Sequence, residues 1–210
     1  MIKKLLTLMV LGCLAWGAQA QIVDAATATK ATDKTVFYQT PQIEKKNTFI
    51  VVSKAELRLY VYGTVGGDTV LMAKFPACLS RNKGQKQRKG DNKTPECKQS
   101  KPFHIQAIRN SSAWTHNFHD GRGNIKAYGA WFLSLYTPGH TGIGIHGSTN
   151  NESSVPGRAS EGCIRLRDPD IIILKEQYAY LKMPVIIKNE TEGPWGWELK
   201  AHAKAKPIKK

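Results

Sequence analysis

Phe49-Ile50-Val51-Val52 and, a few residues on, Leu57-Arg58-Leu59-Tyr60-Val61-Tyr62 decide the fold class of this 210-residue chain. Both segments are built from β-branched, aromatic and long aliphatic residues, and the second alternates with period two, so they read as neighbouring strands. Working outward, Gly66-Gly67-Asp68 marks a turn into a third strand over 69–77. Alternation or aromatic strand composition returns over 103–108, 128–136 and 142–146, and once more at Val185-Ile186-Ile187. One helix is expected. Asp168 has the side chain of an N-cap and Pro169 suits the first helical position. Ile171, Ile172, Leu174, Tyr178 and Leu181 then recur at helical spacing until Met183-Pro184 stops the run. The expected fold is mainly β, a sandwich or barrel with one late α-helix.

The flanks carry different information. Lys3 and Lys4, the apolar run from Leu5 to Trp16, and Ala18-Gln19-Ala20 make residues 1–20 a signal peptide, too short in its apolar part to span a bilayer. Val10-Leu11-Gly12-Cys13 loosely resembles a lipoprotein box, with Leu11 unusual in its slot, so a lipid on Cys13 is a minor alternative. Residues 21–47 are polar and read as a linker, 48–188 as the domain, and 189–210 as a basic tail. The expected location is outside the membrane, in periplasm or cell wall.

The net charge of +15 favours anionic partners. Residues 81–101 hold eight Lys or Arg against two acids, and the last eleven residues hold five Lys. Export excludes nucleic acid as the partner and leaves anionic wall or membrane polymers. The basic segment is either a mobile lid, an electrostatic dock or a solvated loop.

The chemistry concentrates in Ile145-His146-Gly147 and Ser160-Glu161-Gly162-Cys163-Ile164-Arg165-Leu166. Loss of the leader leaves three cysteines of four, and an odd cysteine in an exported protein is a candidate reactive thiol. A thiol becomes a nucleophile when a base and a positive environment lie beside it. His146 is the candidate base and Arg165 the permanent charge that favours thiolate or holds a substrate carboxylate. In the strand 142–146, alternation sends Ile143 and Ile145 into the core and leaves Gly142, Gly144 and His146 on the other face, an open surface where another backbone fits. Gly162 permits a strained turn that aims backbone N–H groups at an oxyanion. An inert core thiol and a core histidine are the bland alternative, and the pairing with flanking glycines and Arg165 counts against it. A zinc site lacks ligands at suitable spacing, for neither Cys-x-x-Cys nor His-x-x-x-His occurs. Of the other histidines, only His116 and His140 are kept as residues that line the site.

These two boxes resemble the signature of the YkuD-type L,D-transpeptidases. The similarity extends to Phe49-Ile50-Val51-Val52, Leu59-Tyr60-Val61-Tyr62 and Thr94-Pro95-Glu96, and so covers about residues 48–188. The resemblance implies a β-sandwich-like catalytic domain with Cys163 as nucleophile, His146 as base and the Gly147 carbonyl orienting the imidazole. It implies substrate contacts at Arg165, Ser160 and Gly162. It implies peptidoglycan stem peptides as the partner, an acyl-enzyme on sulfur, 3→3 crosslinking, and no metal or other cofactor. Water as acceptor would make the same site an L,D-carboxypeptidase or wall-peptide hydrolase. A non-catalytic wall-binding protein is the alternative from another class.

Two departures stand out. Glu161 occupies a position where the family often has histidine, and Cys97 replaces the glycine usual after Thr-Pro-Glu. In an exported protein Cys97 and Cys78 are expected to pair, a bridge whose loop closure would contribute about 3 kcal/mol.

Overall fold

The computed structural model describes residues 33–209. The leader, Cys13 and the first part of the expected linker, residues 21–32, lie outside them. The hairpin read from the opening stretch is present as β2 (Thr48–Ser53) and β3 (Arg58–Val65), antiparallel with Val51 opposite Tyr60. Its alternation is buried on both faces. Ile50, Val52, Leu59 and Val61 enter one core, whereas Val51, Tyr60 and Tyr62 enter another. A strand that is apolar on both sides belongs in the middle of a layered fold.

The other strands of the main sheet are β1 (Val36–Phe37), β4 (Asp68–Pro76), β5 (Cys78–Ser80), β6 (Phe103–Asn110), β9 (Trp131–Tyr136), β10 (Gly144–His146), β11 (Gly157–Ser160), β12 (Ile164–Arg165) and β13 (Pro184–Lys188). A separate pair consists of β7 (Thr115–Asn117) and β8 (Asn124–Lys126). The sheet order is β1-β4-β3-β2-β13-β6-β9-β10-β12-β5-β11. In this order β4 lies near one edge and β5 near the other, yet only Ala77 separates them in the chain. One residue reaches only a few ångströms, so the sheet must curl until its ends meet. The larger core shows the result. Leu59 and Phe75 from one end share a cluster with Leu133, Ile145 and Ile164 from the other.

The expected late helix is α1 (Asp168–Ile173), continued by a π turn over Leu174–Tyr178. It buries Ile171, Leu174 and Tyr178 in the larger core, while Leu181 lies beyond it and is exposed. Asp168 is not the cap. Arg167 is the extended residue before the helix, and the Asp168 carboxylate turns away to bind Ser148 and Thr149. Part of the expected linker also belongs to the fold, for Val36 and Phe37 pair with β4.

The basic tail contains a second helix, α2 (Gly196–Lys204). Short charged segments with few aliphatics give little periodic signal, and this one is held by tertiary contacts. Trp195, Trp197 and Ala201 pack on the smaller core. Buried Glu198 accepts from Lys188 Nζ at 2.5 Å, from the Trp195 amide at 2.8 Å and from the Tyr62 hydroxyl at 3.2 Å.

The expected Cys78–Cys97 bridge is absent. Both are free thiols. Cys78 is buried in β5, opposite Arg165, with its Sγ near the Leu79 carbonyl at 3.7 Å. Cys97 packs on β13 instead, accepting from Ile187 N at 3.3 Å and donating to Val185 O at 3.6 Å. The two thiols are bound to different strands, β5 and β13, that are not neighbours in the sheet.

Candidate functional site

β10 and β12 run parallel, with Ile145 opposite Ile164 and His146 opposite Arg165. Alternation buries both isoleucines and turns His146 and Arg165 to the other face. One step back along both strands stand Gly144 and Cys163. Cys163, His146 and Arg165 thus line one cavity of about 570 Å³. Residues 17 positions apart in the chain meet because the intervening loop returns the chain alongside its own strand.

The imidazole is closely held. His146 is 3% exposed. Phe132 stacks on it with centroids 5.4 Å apart, and Tyr128 leans on it at 4.9 Å. Its Nδ1 lies 2.7 Å from the Gly147 carbonyl oxygen. A carbonyl only accepts, so Nδ1 carries the proton and Nε2 is the acceptor of the neutral ring. Burial first, and then the charge of Arg165, pushes the His146 pKa down from 6.5 to about 3. Cys163 is half-buried, and its thiol donates to the Gly142 carbonyl at 3.3 Å. Burial pushes this thiol up. The Gly144 amide and Arg165 pull the other way and do not prevail. The resting pair is therefore neutral thiol and neutral imidazole, and Arg165 alone does not make a thiolate.

Arg165 is 4% exposed and sits 5.1 Å from the Phe118 ring centroid. No carboxylate among the described residues forms an ion pair with it. Its side chain lines the cavity.

Ser160 and Gly162 build the turn that presents Cys163. Ser160 Oγ donates to the Cys163 carbonyl at 2.6 Å and accepts from Gly162 N at 3.2 Å. The Gly162 amide is thus engaged and is not free for an oxyanion. Gly162 has φ +142, and a side chain there would meet the Lys93 carbonyl at 2.9 Å, so glycine is required. Gly142 leaves open space as expected, but Gly144 does not. A Cβ at Gly144 would fall 2.4 Å from the Phe132 ring, which covers it.

The basic segment is anchored at its base and tip, although most of its Lys and Arg side chains are exposed. Fully buried Lys54 pins its base, donating to the carbonyls of Gly84 at 2.9 Å and Thr94 at 3.1 Å and pairing with Glu96 and Glu190. Asp91 folds its tip, accepting from Lys86 Nζ at 2.7 Å and from the amides of Gln87, Arg88 and Lys93. Burial would raise the Asp91 carboxyl, and these donors hold it well below the usual range instead. Lys86, Arg88 and Lys89 form one wall of the cavity.

His116 and His140 do line the cavity. His116 Nε2 lies 3.2 Å from Glu161, the acid in place of the family's second histidine. Sequence reading missed Phe118, Tyr128, Phe132 and Asp168. Their only sequence trace is aromatic content in segments with no motif spacing, and for Asp168 a position that suited a helix cap. Among the described residues, no three His, Cys, Asp or Glu side chains gather as metal ligands.

The family model described as the L,D-transpeptidase catalytic domain, YkuD, matches residues 47–187. No curated protein matches. Among solved structures, the chain is similar to the helical cell shape determining protein Pgp2 from Campylobacter jejuni, with TM-score 0.51 and 18% identity over 81% of this chain and 55% of that one. It is similar to Bd1075 of Bdellovibrio bacteriovorus, with TM-score 0.48 and 22% identity over 73% and 51%. An L,D-transpeptidase from Mycobacterium smegmatis aligns with TM-score 0.48 and 17% identity over 68% and 58%. The chain spans little more than half the length of these proteins, and at 18% identity the likeness to Pgp2 speaks to the fold alone. The family model spans most of the chain, including the Cys163–His146 cavity, and on that ground the chain belongs to the family of YkuD L,D-transpeptidase catalytic domains.

Proposed function

We propose that the protein is a cysteine-dependent L,D-transpeptidase acting on peptidoglycan stem peptides outside the membrane. The observation that carries this reading is the placement of Cys163 beside His146 in one cavity, with His146 Nδ1 committed to the Gly147 carbonyl so that Nε2 is free to take a proton. His146 removes the thiol proton as Cys163 attacks the carbonyl of the bond preceding a terminal D-Ala. The proton passes to the departing amine, and a thioester remains. A side-chain amine of a second stem then attacks, its proton goes to His146, and the thiol is restored as the 3→3 link forms.

The walls suit this substrate. Arg165, Arg88 and Lys89 offer positive charge to peptide carboxylates, and Gly142 leaves room for a passing backbone. The signal-peptide reading of residues 1–20 agrees with a substrate that lies outside the membrane.

Purified protein would be incubated with tetrapeptide muropeptides, and the products followed by mass spectrometry beside Cys163→Ala. Crosslinked dimers that have lost D-Ala, absent in the mutant, are the expected result. Tripeptides alone would reassign the site to hydrolysis. Absence of any Cys163-dependent product would overturn the enzymatic reading.

A further inference from the structure

We infer that Asp168 is a positioning residue that acts on His146 through the peptide group joining Gly147 to Ser148. The inference rests on His146 being the base. That peptide group is held at both ends. Its carbonyl accepts from His146 Nδ1 at 2.7 Å, and its N–H donates to Asp168 Oδ1 at 2.7 Å. A peptide group is planar and trans, so fixing the N–H direction fixes where the carbonyl points. The carbonyl in turn selects the Nδ1–H tautomer and the orientation of the ring.

The carboxylate is dedicated to this task. Its other oxygen accepts from Thr149 Oγ1. No cationic side chain among the described residues pairs with it, so neutral donors receive its charge. A charged acceptor on the N–H polarises the amide and strengthens its carbonyl as an acceptor. The imidazolium formed when His146 takes the thiol proton is then better stabilised.

The packing leaves the peptide no freedom. A Cβ on Gly147 would fall 2.3 Å from Asp168 Oδ1 and 2.7 Å from Gly129 Cα. One on Gly129 would meet the same oxygen at 2.7 Å. The Gly147 amide donates to the Tyr128 carbonyl at 2.7 Å, and Leu166 N donates to the His146 carbonyl at 2.8 Å. The glycines at 129 and 147 exist so that this carboxylate can approach the backbone. The other charged or titratable groups that line the cavity with the ring are Cys163, Arg165, Glu161, His116, His140, Tyr128, Lys86, Arg88 and Lys89.

The test is Asp168→Asn, which keeps an oxygen for the Ser148 amide and removes the charge. Alkylation of Cys163 by iodoacetamide is measured against pH. The rate at neutral pH is expected to fall about tenfold, the range typical of lost outer-shell partners. The apparent pKa of the reaction is expected to rise, with the melting temperature near that of the parent. Thr149→Val, which removes the other hydrogen bond, is expected to lower stability and leave the pH profile in place. An unchanged profile in Asp168→Asn, or the same shift in Thr149→Val, would overturn the inference. Should Asp168→Asn fail to fold, NMR of the unaltered protein decides. A proton on His146 Nδ1 with a slowly exchanging Ser148 amide supports the inference, and a proton on Nε2 instead overturns it. Neither readout needs muropeptide turnover, so failure of the proposed function would be seen separately.

Discussion

The Phe132 ring lies almost parallel to the His146 imidazole, with centroids 5.4 Å apart and planes 12° from parallel. The same ring covers Gly144, where a side chain would clash with it. Phe132 thereby both orients the imidazole and dries it. Phe132→Ala removes part of the burial that depresses His146, so its pKa should rise from about 3 toward 6.5. Titration of the ring by NMR would show this, and a His146 that still titrates near 3 would show that Phe132 is not what desolvates it.

Neutral His146 has a stability consequence. Between 6.5 and about 3 the unfolded chain binds a proton at this residue and the folded chain does not. Stability therefore falls as pH drops through that window. His146→Gln cannot take the proton in either state, so its melting temperature should fall less between pH 6 and 4 than that of the parent. Parallel melting curves for the two proteins would contradict this account.

Asp91 should matter to substrate binding more than to chemistry. It accepts four hydrogen bonds within the segment that carries Arg88 and Lys89 to the cavity wall. Asp91→Asn is expected to raise KM for carboxylate-bearing peptides several-fold with little change in kcat. A large loss of kcat at unchanged KM would contradict a binding role for this wall.

The Lys188–Glu198 pair anchors α2, and both residues are about 2% exposed. Breaking a buried pair by removing one partner leaves a buried unpaired charge and costs about 3–5 kcal/mol. Glu198→Ala should lose that much in urea unfolding, whereas Lys188→Met with Glu198→Leu should lose much less. Equal losses would mean that the Tyr62 and Trp195 contacts, rather than the charge, hold the helix.

Three free thiols are a countable property. The protein lacking residues 1–20, denatured without reductant, should take up three alkyl groups by intact mass. A single adduct would restore the Cys78–Cys97 bridge. In the folded protein Cys97 should react slowly, because burial raises its thiol pKa.

What could be read along the chain is what short-range pattern encodes. Period-two alternation identified β3, β6 and β9, because burial on a pleated strand repeats every second residue, while apolar strand composition marked β2 and β13 and a Gly-Gly-Asp turn marked the start of β4. The glycines and arginine around Cys163, and His146 seventeen residues earlier, marked the candidate site because a nucleophilic thiol needs a base and positive charge close by. The short strands β5, β11 and β12 were invisible, since two to four residues are too few to show a period.

The sequence by itself determined the longer strands, the membership of the family and the Cys163–His146–Arg165 set. Only the tertiary structure decided that Cys78 and Cys97 bind to separate strands, that the basic segment is a pinned wall, and that the Asp168 carboxylate reaches the peptide behind His146. Each of these depends on which strands become neighbours when the sheet curls. That choice is made by burying Leu59 with Ile145 and Ile164 in one core, a long-range packing free energy that no local spacing of residues records.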